Sequence, residues 1–182
     1  MHATLCDLIM DLVQNSVEAG ASEIELTVRA TDRQIAFSVK DNGKGMSRDV
    51  QAKAVDPFYS DGEKHAHRRV GLGLPFLLQT ADAVGGRTAI DSEEGRGTLV
   101  EFEAEADHVD LPPFGDFAAA ATMMISQADG FELRIVRQAD NDSYTLSRSE
   151  LEETLGDLND TENLMLMKTY IRSQEEDLRK AG

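Results

Sequence analysis

The chain opens on a helical pattern: Leu5, Leu8, Ile9, Leu12 and Val13 recur at helix spacing within residues 4–19. Asp7, Asp11, Gln14, Asn15 and Glu18 fall on the other side, and Gly20 supplies a stop. Strict alternation follows, first at Ile24, Leu26 and Val28 and then at Ile35, Phe37 and Val39. These are two half-buried strands, and Thr31-Asp32-Arg33 is short enough to join them as a hairpin. Ser47 is positioned to cap a short helix running to about Val55. Residues 57–70 have no period, are polar and contain Gly62, which predicts a mobile loop. From Leu72 a helix carries Leu74, Phe76, Leu77, Leu78, Ala81 and Val84 up to Gly85-Gly86. Two further strands fit 87–91 and 98–105, with a turn at Glu93–Gly97 between them. Helix, hairpin, loop, helix, hairpin is the order of a two-layer α/β (α+β) sandwich, a mixed sheet with helices on one face.

Asp107–Gly115, with adjacent Pro112 and Pro113, interrupts this order and marks a boundary. The pattern thus predicts a domain over 1–106 and a small C-terminal α-β-β-α-α appendage over 107–182. In the appendage an Ala/Met-rich helix spans 116–127, strands cover 131–137 and 143–146, and Ser147–Glu150 has capping-box spacing for the next helix. A last helix begins near Asp160 or Thr161, with Leu164, Met167, Ile171 and Leu178 on one side. Such a stripe packs on its own domain or serves a partner.

Composition removes several function classes. A formal charge of −16, from 34 acids and 18 bases, argues against sequence-independent duplex DNA binding, which needs cations on phosphates. No run approaches the ~18 apolar residues of a membrane span. The N-terminus has an acid where a signal peptide carries positive charge, and Cys6 is the sole cysteine, so a cytoplasmic protein without a disulfide is expected. Lys64, Arg68 and Arg69, with His65 and His67, form a basic cluster in this acidic chain. It reads either as a local anion site or as a solvated loop.

Three stretches carry chemistry. Asp11, Asn15 and Glu18 occupy one helical face. The amide oxygen of Asn15 suits the octahedral shell of magnesium on a triphosphate, and Asp11 one turn earlier suits the orientation or deprotonation of a water. A solvated helix face has the same spacing. Asp41-Asn-Gly-Lys-Gly-Met46 follows a strand directly. A carboxylate there can accept from the exocyclic amine of adenine, while Gly43 and Gly45 let backbone pass where side chains would collide with the base. A plain strand-to-helix turn also uses this wording. Gly71-Leu72-Gly73-Leu74 opens a helix whose N-terminal amides suit phosphate, with Arg68 and Arg69 just before it. Thr98 follows the turn Gly95-Arg-Gly97.

In this order and spacing the chain resembles the GHKL ATPases, which have the Bergerat-type ATP-binding fold and include gyrase, the ninety-kilodalton chaperone, histidine kinases and the mismatch-repair ATPase. The resemblance implies ATP and Mg²⁺ as cofactors, with Asn15 as the magnesium asparagine. It implies Asp41, Gly43, Gly45 and Met46 as an adenine box, and Pro57-Phe58-Tyr-Ser60 as the opening of an ATP lid closed by Gly71 and Gly73. Thr98 would back up the adenine contact. The base position, four residues before the asparagine, is usually glutamate in the hydrolysing branches; here it is Asp11, one methylene shorter.

A full histidine kinase places a dimerising helical pair with a phosphorylated histidine before this domain, and here the asparagine helix starts almost at Met1, so that module is expected to be missing. The stretch from His108 onward resembles the tail of short, stand-alone bacterial ATP-binding proteins, often encoded near iron-only hydrogenases in anaerobes. Three functions are consistent with this: a kinase-like or ATP-hydrolysing regulatory module acting on a separate protein partner or phosphoacceptor, as the anti-sigma serine kinases do; a non-catalytic nucleotide sensor whose lid switches a protein interaction; and a repair- or topoisomerase-like ATPase fragment. A homodimer is a further partner option, and neither nucleic acid nor membrane is expected.

Overall fold

The computed structural model describes residues 4–54, 73–127, 130–140 and 142–181. The first helix, α1 (Leu5–Glu18), forms because its apolar residues share a face and its start is capped reciprocally. Thr4 Oγ1 accepts from the Asp7 amide at 3.2 Å, and the Thr4 amide donates to Asp7 Oδ2 at 2.9 Å. The hairpin strands are β1 (Glu23–Ala30) and β2 (Gln34–Asp41), followed by α2 (Arg48–Ala54). Then come α3 (Gly73–Val84), β3 (Arg87–Glu93) and β4 (Gly97–Glu105). The C-terminal part supplies α4 (Phe117–Ile125), β5 (Glu132–Ala139), β6 (Asp142–Ser147), α5 (Arg148–Leu155) and α6 (Thr161–Ala181). The α-β-β-α-α order of this part is the one its sequence predicts.

The strands of the described residues join one six-stranded mixed sheet in the order β3-β4-β2-β1-β5-β6. Only β1 and β5 are parallel; the other neighbours are antiparallel. The alternation assigns the faces. Ile24, Leu26, Val28, Phe37, Val39, Val100, Phe102, Leu133 and Ile135 are buried beneath the helices, while Glu25, Arg29, Glu101, Glu103 and Arg134 on the opposite face are exposed. A single apolar cluster runs from α1 through the sheet to Met124, Met167 and Ile171. Burial on this scale, at about 25 cal/mol per Å² of apolar surface, is the main stabilising term.

The 107–115 stretch turns back on the start of the chain. The Leu5 and Cys6 amides donate to the carbonyls of Pro113 and Phe114 at 2.9 and 3.0 Å. Phe114 stacks on Phe117 with ring centroids 5.8 Å apart, and the Arg137 guanidinium lies over both rings. Beneath them Arg137, Tyr144 and Glu175 form a buried polar knot between β5, β6 and α6. No helix among the described residues is long and apolar enough to cross a membrane.

Candidate functional site

The covered face of β2 ends at Asp41, 9% exposed, against the C-terminal half of α1. Its two carboxylate oxygens are held separately. Ser16 Oγ on α1 donates to Oδ2 at 2.8 Å, and the Gly43 amide donates to Oδ1 at 2.8 Å. Ser16 also sits 3.3 Å from the Leu12 carbonyl one turn back, which fixes its rotamer against the helix. Both donors are neutral. Among the described residues Asp41 has no cation partner, which leaves lone pairs on a buried carboxylate for a further donor.

The turn after Asp41 is set by close backbone approach. Gly45 has φ +62°, and a Cβ there would collide with the Glu93 carbonyl; a Cβ at Gly97, φ +103°, would collide with the Asp41 carbonyl. A Cβ on Gly43 would stand 2.9 Å from Ala19 Cβ. These glycines are therefore required by protein neighbours, where the sequence suggested room for a base. Asn42 has a job of its own: its Oδ1 accepts from the Ser22 and Glu23 amides at 2.9 and 3.0 Å, pinning the start of β1. Thr98 is the direct register partner of Asp41 across the β2–β4 ladder and lies on the same covered face. Its Oγ1 is 2.9 Å from Ser92 Oγ, which also accepts from the Met46 amide at 2.9 Å. Gln51 on α2 donates to the Ser92 and Met46 carbonyls. The β3–β4 hairpin and the 41–46 turn are thus tied into one unit.

Farther along α1, Asp11 and Asn15 meet the start of α3. A Cβ on Gly73 would stand 3.2 Å from Asp11 Cβ and 3.6 Å from Asn15 Nδ2. Glycine there brings the start of α3 onto these two side chains. Leu74 is buried behind it. Glu18, the third member of the proposed polar face, instead accepts from Gln14 Nε2 at 3.0 Å. Asp11, Asn15, Asp41, Gly43, Gly45, Met46, Gly73, Leu74 and Thr98 therefore lie along α1, the end of β2 and the turn after it, the start of β4 and the start of α3. Phe58, Arg68, Arg69, Gly71 and Leu72, and the lid expected over 57–70, lie outside the described residues.

Sequence reasoning passed over Ser16, Ser92 and Gln51. Ser16 carried a readable signal: it continues the apolar stripe of Leu5, Ile9 and Leu12, and a hydroxyl on a buried stripe needs a partner. Ser92 and Gln51 carried none, because only the folded hairpin brings them to the turn.

Helices on one face of a mixed sheet, with a buried carboxylate at a strand end and an amide-bearing helix beside it, define a two-layer ligand-binding domain. Residues 2–108, more than half of the chain, match the model for the histidine kinase-, DNA gyrase B- and HSP90-like ATPases, and the chain belongs to that family. It is 30% identical over 111 residues to sporulation kinase E of Bacillus subtilis, covering 59% of this chain and 14% of that protein. It is 35% identical over 101 residues to the methanogenesis regulatory histidine kinase FilI of Methanothrix harundinacea, covering 53% of this chain and 11% of that one. The chain thus spans a small fraction of the length of these relatives. The crystal structure of the N-terminal domain of a DNA repair protein shares the fold, with a TM-score of 0.61 at 13% identity over 90% of this chain and 59% of that one. That likeness extends past the family match into the C-terminal elements. The chain carries an ATP-binding domain of the histidine-kinase type.

Proposed function

We propose that the chain is a Mg-ATP-binding regulatory module that acts on a separate protein partner as a kinase-like or ATP-hydrolysing unit. The observation that carries this reading is the arrangement of these residues. The Asp41 carboxylate, held by two neutral donors, is shaped to accept the exocyclic amine of adenine. Asn15 and Asp11 stand at the other end, beside the amides of the α3 N-terminus. Thr98, level with Asp41, backs the base contact, and Met46 and Leu74 supply apolar surface at the two ends. The donor set also fits magnesium arriving on a triphosphate: one amide oxygen from Asn15, with phosphate oxygens and water completing six. Bound magnesium would neutralise charge on the phosphates, and positioning would do most of the rest.

In this reading Asp11 orients or deprotonates the group that attacks the terminal phosphate. Asp11→Ala is expected to leave ATP affinity within about twofold and to lower phosphate release by about 100-fold, the low end for a general base. Calorimetry and a phosphate-release assay measure the two; unchanged turnover removes Asp11 as the base. A second reading, a nucleotide sensor without chemistry, is favoured by the short Asp11 side chain. Incubation with magnesium and labelled ATP separates them, since a sensor releases no phosphate and labels no protein.

A further inference from the structure

The sheet has two outer edges, and the protein finishes them differently. Along β3 one face alternates through Arg87, Ala89, Asp91 and Glu93, and Gln51 of α2 donates to the Ser92 carbonyl near its end. Charged side chains and a covering element are the usual protection of an edge strand. β6 has neither. From Ser143 to Ser147 it reads Ser-Tyr-Thr-Leu-Ser, without a charge, a proline or a glycine, in a chain of net charge −16. Among the described residues no strand pairs with its outer side. Alternate residues of such a strand turn both backbone groups away from their neighbour. The Ser143 amide, which donates to Asp142 Oδ1 at 2.8 Å, marks that outward row, and Thr145 two residues on shares it. Both residues are exposed.

The last helix borders this edge. Glu175 bonds Arg137 on β5 and Tyr144 on β6, so α6 lies over the seam between the two strands. Lys168 and Arg172 on α6 face Asp116 at the start of α4. Leu166 and Tyr170 stand about 160° round the helix from them and therefore point past β6. They are 58% and 48% exposed. Asn163, Ser173 and Gln174 share that flank, and Asp177 is its one charge among the described side chains.

We propose that the β6 edge is a self-association site, where a second copy of the chain adds its β6 antiparallel to this one about a twofold axis. Ser147 caps α5, so the free edge is 142–146 and the axis passes through Tyr144. Ser143 then pairs with Thr145 of the other copy, and Asp142 with Leu146, so no like charges face each other along the ladder. A new strand at about 4.8 Å, with an α6 over each β5–β6 seam, sets the two α6 axes two strand spacings apart. That is about 10 Å, an ordinary helix-packing distance. Leu166 and Tyr170 then meet the α6 of the other copy, whereas a lone strand from another protein would leave them bare. This is what selects a second copy as the occupant, with one patch serving both sides. The Asp41 region lies on the β2 and β4 side of the sheet, so the proposal does not depend on what binds there.

Sedimentation equilibrium of the full chain, from about 1 to 100 µM, tests it. A dimer is expected; a monomer throughout overturns the proposal. Thr145→Pro removes an outward donor while sparing the ladder to β5, and is expected to weaken dimerisation at least about tenfold. Tyr170→Glu leaves β6 untouched and places two carboxylates at the helix contact, with the same loss expected. Circular dichroism reports whether each variant keeps its fold. A dimer that survives either change in a folded chain overturns the proposal; should proline unfold the chain, Tyr170→Glu decides. Met165→Glu is the control, because Met165 is exposed on the side of α6 that faces α4. Dissociation by that change alone assigns the interface to α4 and α6 and overturns the proposal. The unmodified chain gives an independent reading. Salt screens the repulsion between two acidic chains without touching an uncharged edge, so rising salt is expected to tighten this dimer, and loosening overturns the proposal.

Discussion

Asp41 and Glu175 are both buried carboxylates, and the protein treats them in opposite ways. The charge of Glu175, 7% exposed, is saturated by a buried cation. Arg137 Nε lies 3.0 Å from its Oε1, Arg137 Nη2 donates to Oε2 at 3.2 Å, and the Tyr144 hydroxyl donates to Oε1 at 2.6 Å. Among the described residues Asp41 is held by one hydroxyl and one amide. A buried charge with a fitted cation serves cohesion; removing one partner strands the other. A buried charge with neutral donors and spare lone pairs is oriented but incompletely satisfied, which is the state a ligand's N–H can complete. Burial alone does not tell these two carboxylates apart, whereas the identity of their donors does.

The largest effect is expected where the saturated pair is broken. Glu175→Ala leaves the Arg137 guanidinium without its anion between β5 and α6, and a loss of about 3–5 kcal/mol is expected in chemical denaturation. ATP affinity of the fraction that remains folded should change less than about twofold. Asp41→Asn is the converse case. The amide oxygen can still accept one of the two local donors, so stability should move by under about 1 kcal/mol. ATP affinity should fall at least about 100-fold by calorimetry, since an amide cannot replace a buried carboxylate at both oxygens. The comparison breaks if Asp41→Asn costs as much stability as Glu175→Ala, or if it leaves ATP binding intact.

Why one carboxylate was legible in the sequence and the other was not follows from their settings. Asp41 ends an alternating strand and is followed by two glycines, so local pattern marks it; a polar helix face marks Asn15, a helix start marks Gly73, and Thr98 stands out through the family resemblance. The two hairpins and every C-terminal element follow from periodicity to within a few residues. Partner choice does not: alternation at 131–137 predicts a strand but carries no information that it adds parallel to β1 and completes one sheet with the N-terminal hairpins. Arg137 continues the face of Leu133 and Ile135, and Glu175 stands one turn after Ile171, so both occupy buried positions in apolar patterns. Ser16 is the same case on α1. A polar residue at an apolar position announces that it has a partner, while the partner itself appears only in the folded chain.

Ser16 allows a finer test of the open side of the comparison. Its hydroxyl orients Asp41 Oδ2 and touches no ligand in this reading, so it is a positioning residue. Ser16→Ala is expected to weaken ATP binding by about tenfold, the worth of one hydrogen bond to a charged group, with little change in thermal stability. The preference for ATP over GTP should narrow by the same factor, because GTP presents an oxygen where ATP presents the amine. Ser16→Thr, which keeps the hydroxyl, should recover most of both. Equal losses for ATP and GTP with Ser16→Ala would point to a merely structural serine.

Near neutral pH the smallest effect lies at Cys6, which senses the saturated side. The thiol is 3% exposed, and burial, followed by the negative charges of Asp7 and Glu175, pushes it up to about 12, with Arg137 acting in the opposite direction. In the unfolded chain a thiol ionises at about 8.5. Between those values the folded chain keeps a proton that the unfolded chain has released, so stability is intact below the lower value and declines as pH rises toward the upper. The decline cannot exceed about 1.4 kcal/mol per pH unit. Denaturation curves at increasing alkaline pH should show it, and Cys6→Ala should remove it. A thiol reagent at pH near 8 should label Cys6 only after denaturant is added. Glu175→Gln removes one of the charges that raise the thiol and should bring labelling to lower pH, whereas Asp41→Asn should leave the labelling profile where it was. If both substitutions shift it alike, the two carboxylates act on a common interior and the distinction between a saturated region and an open one is too sharp.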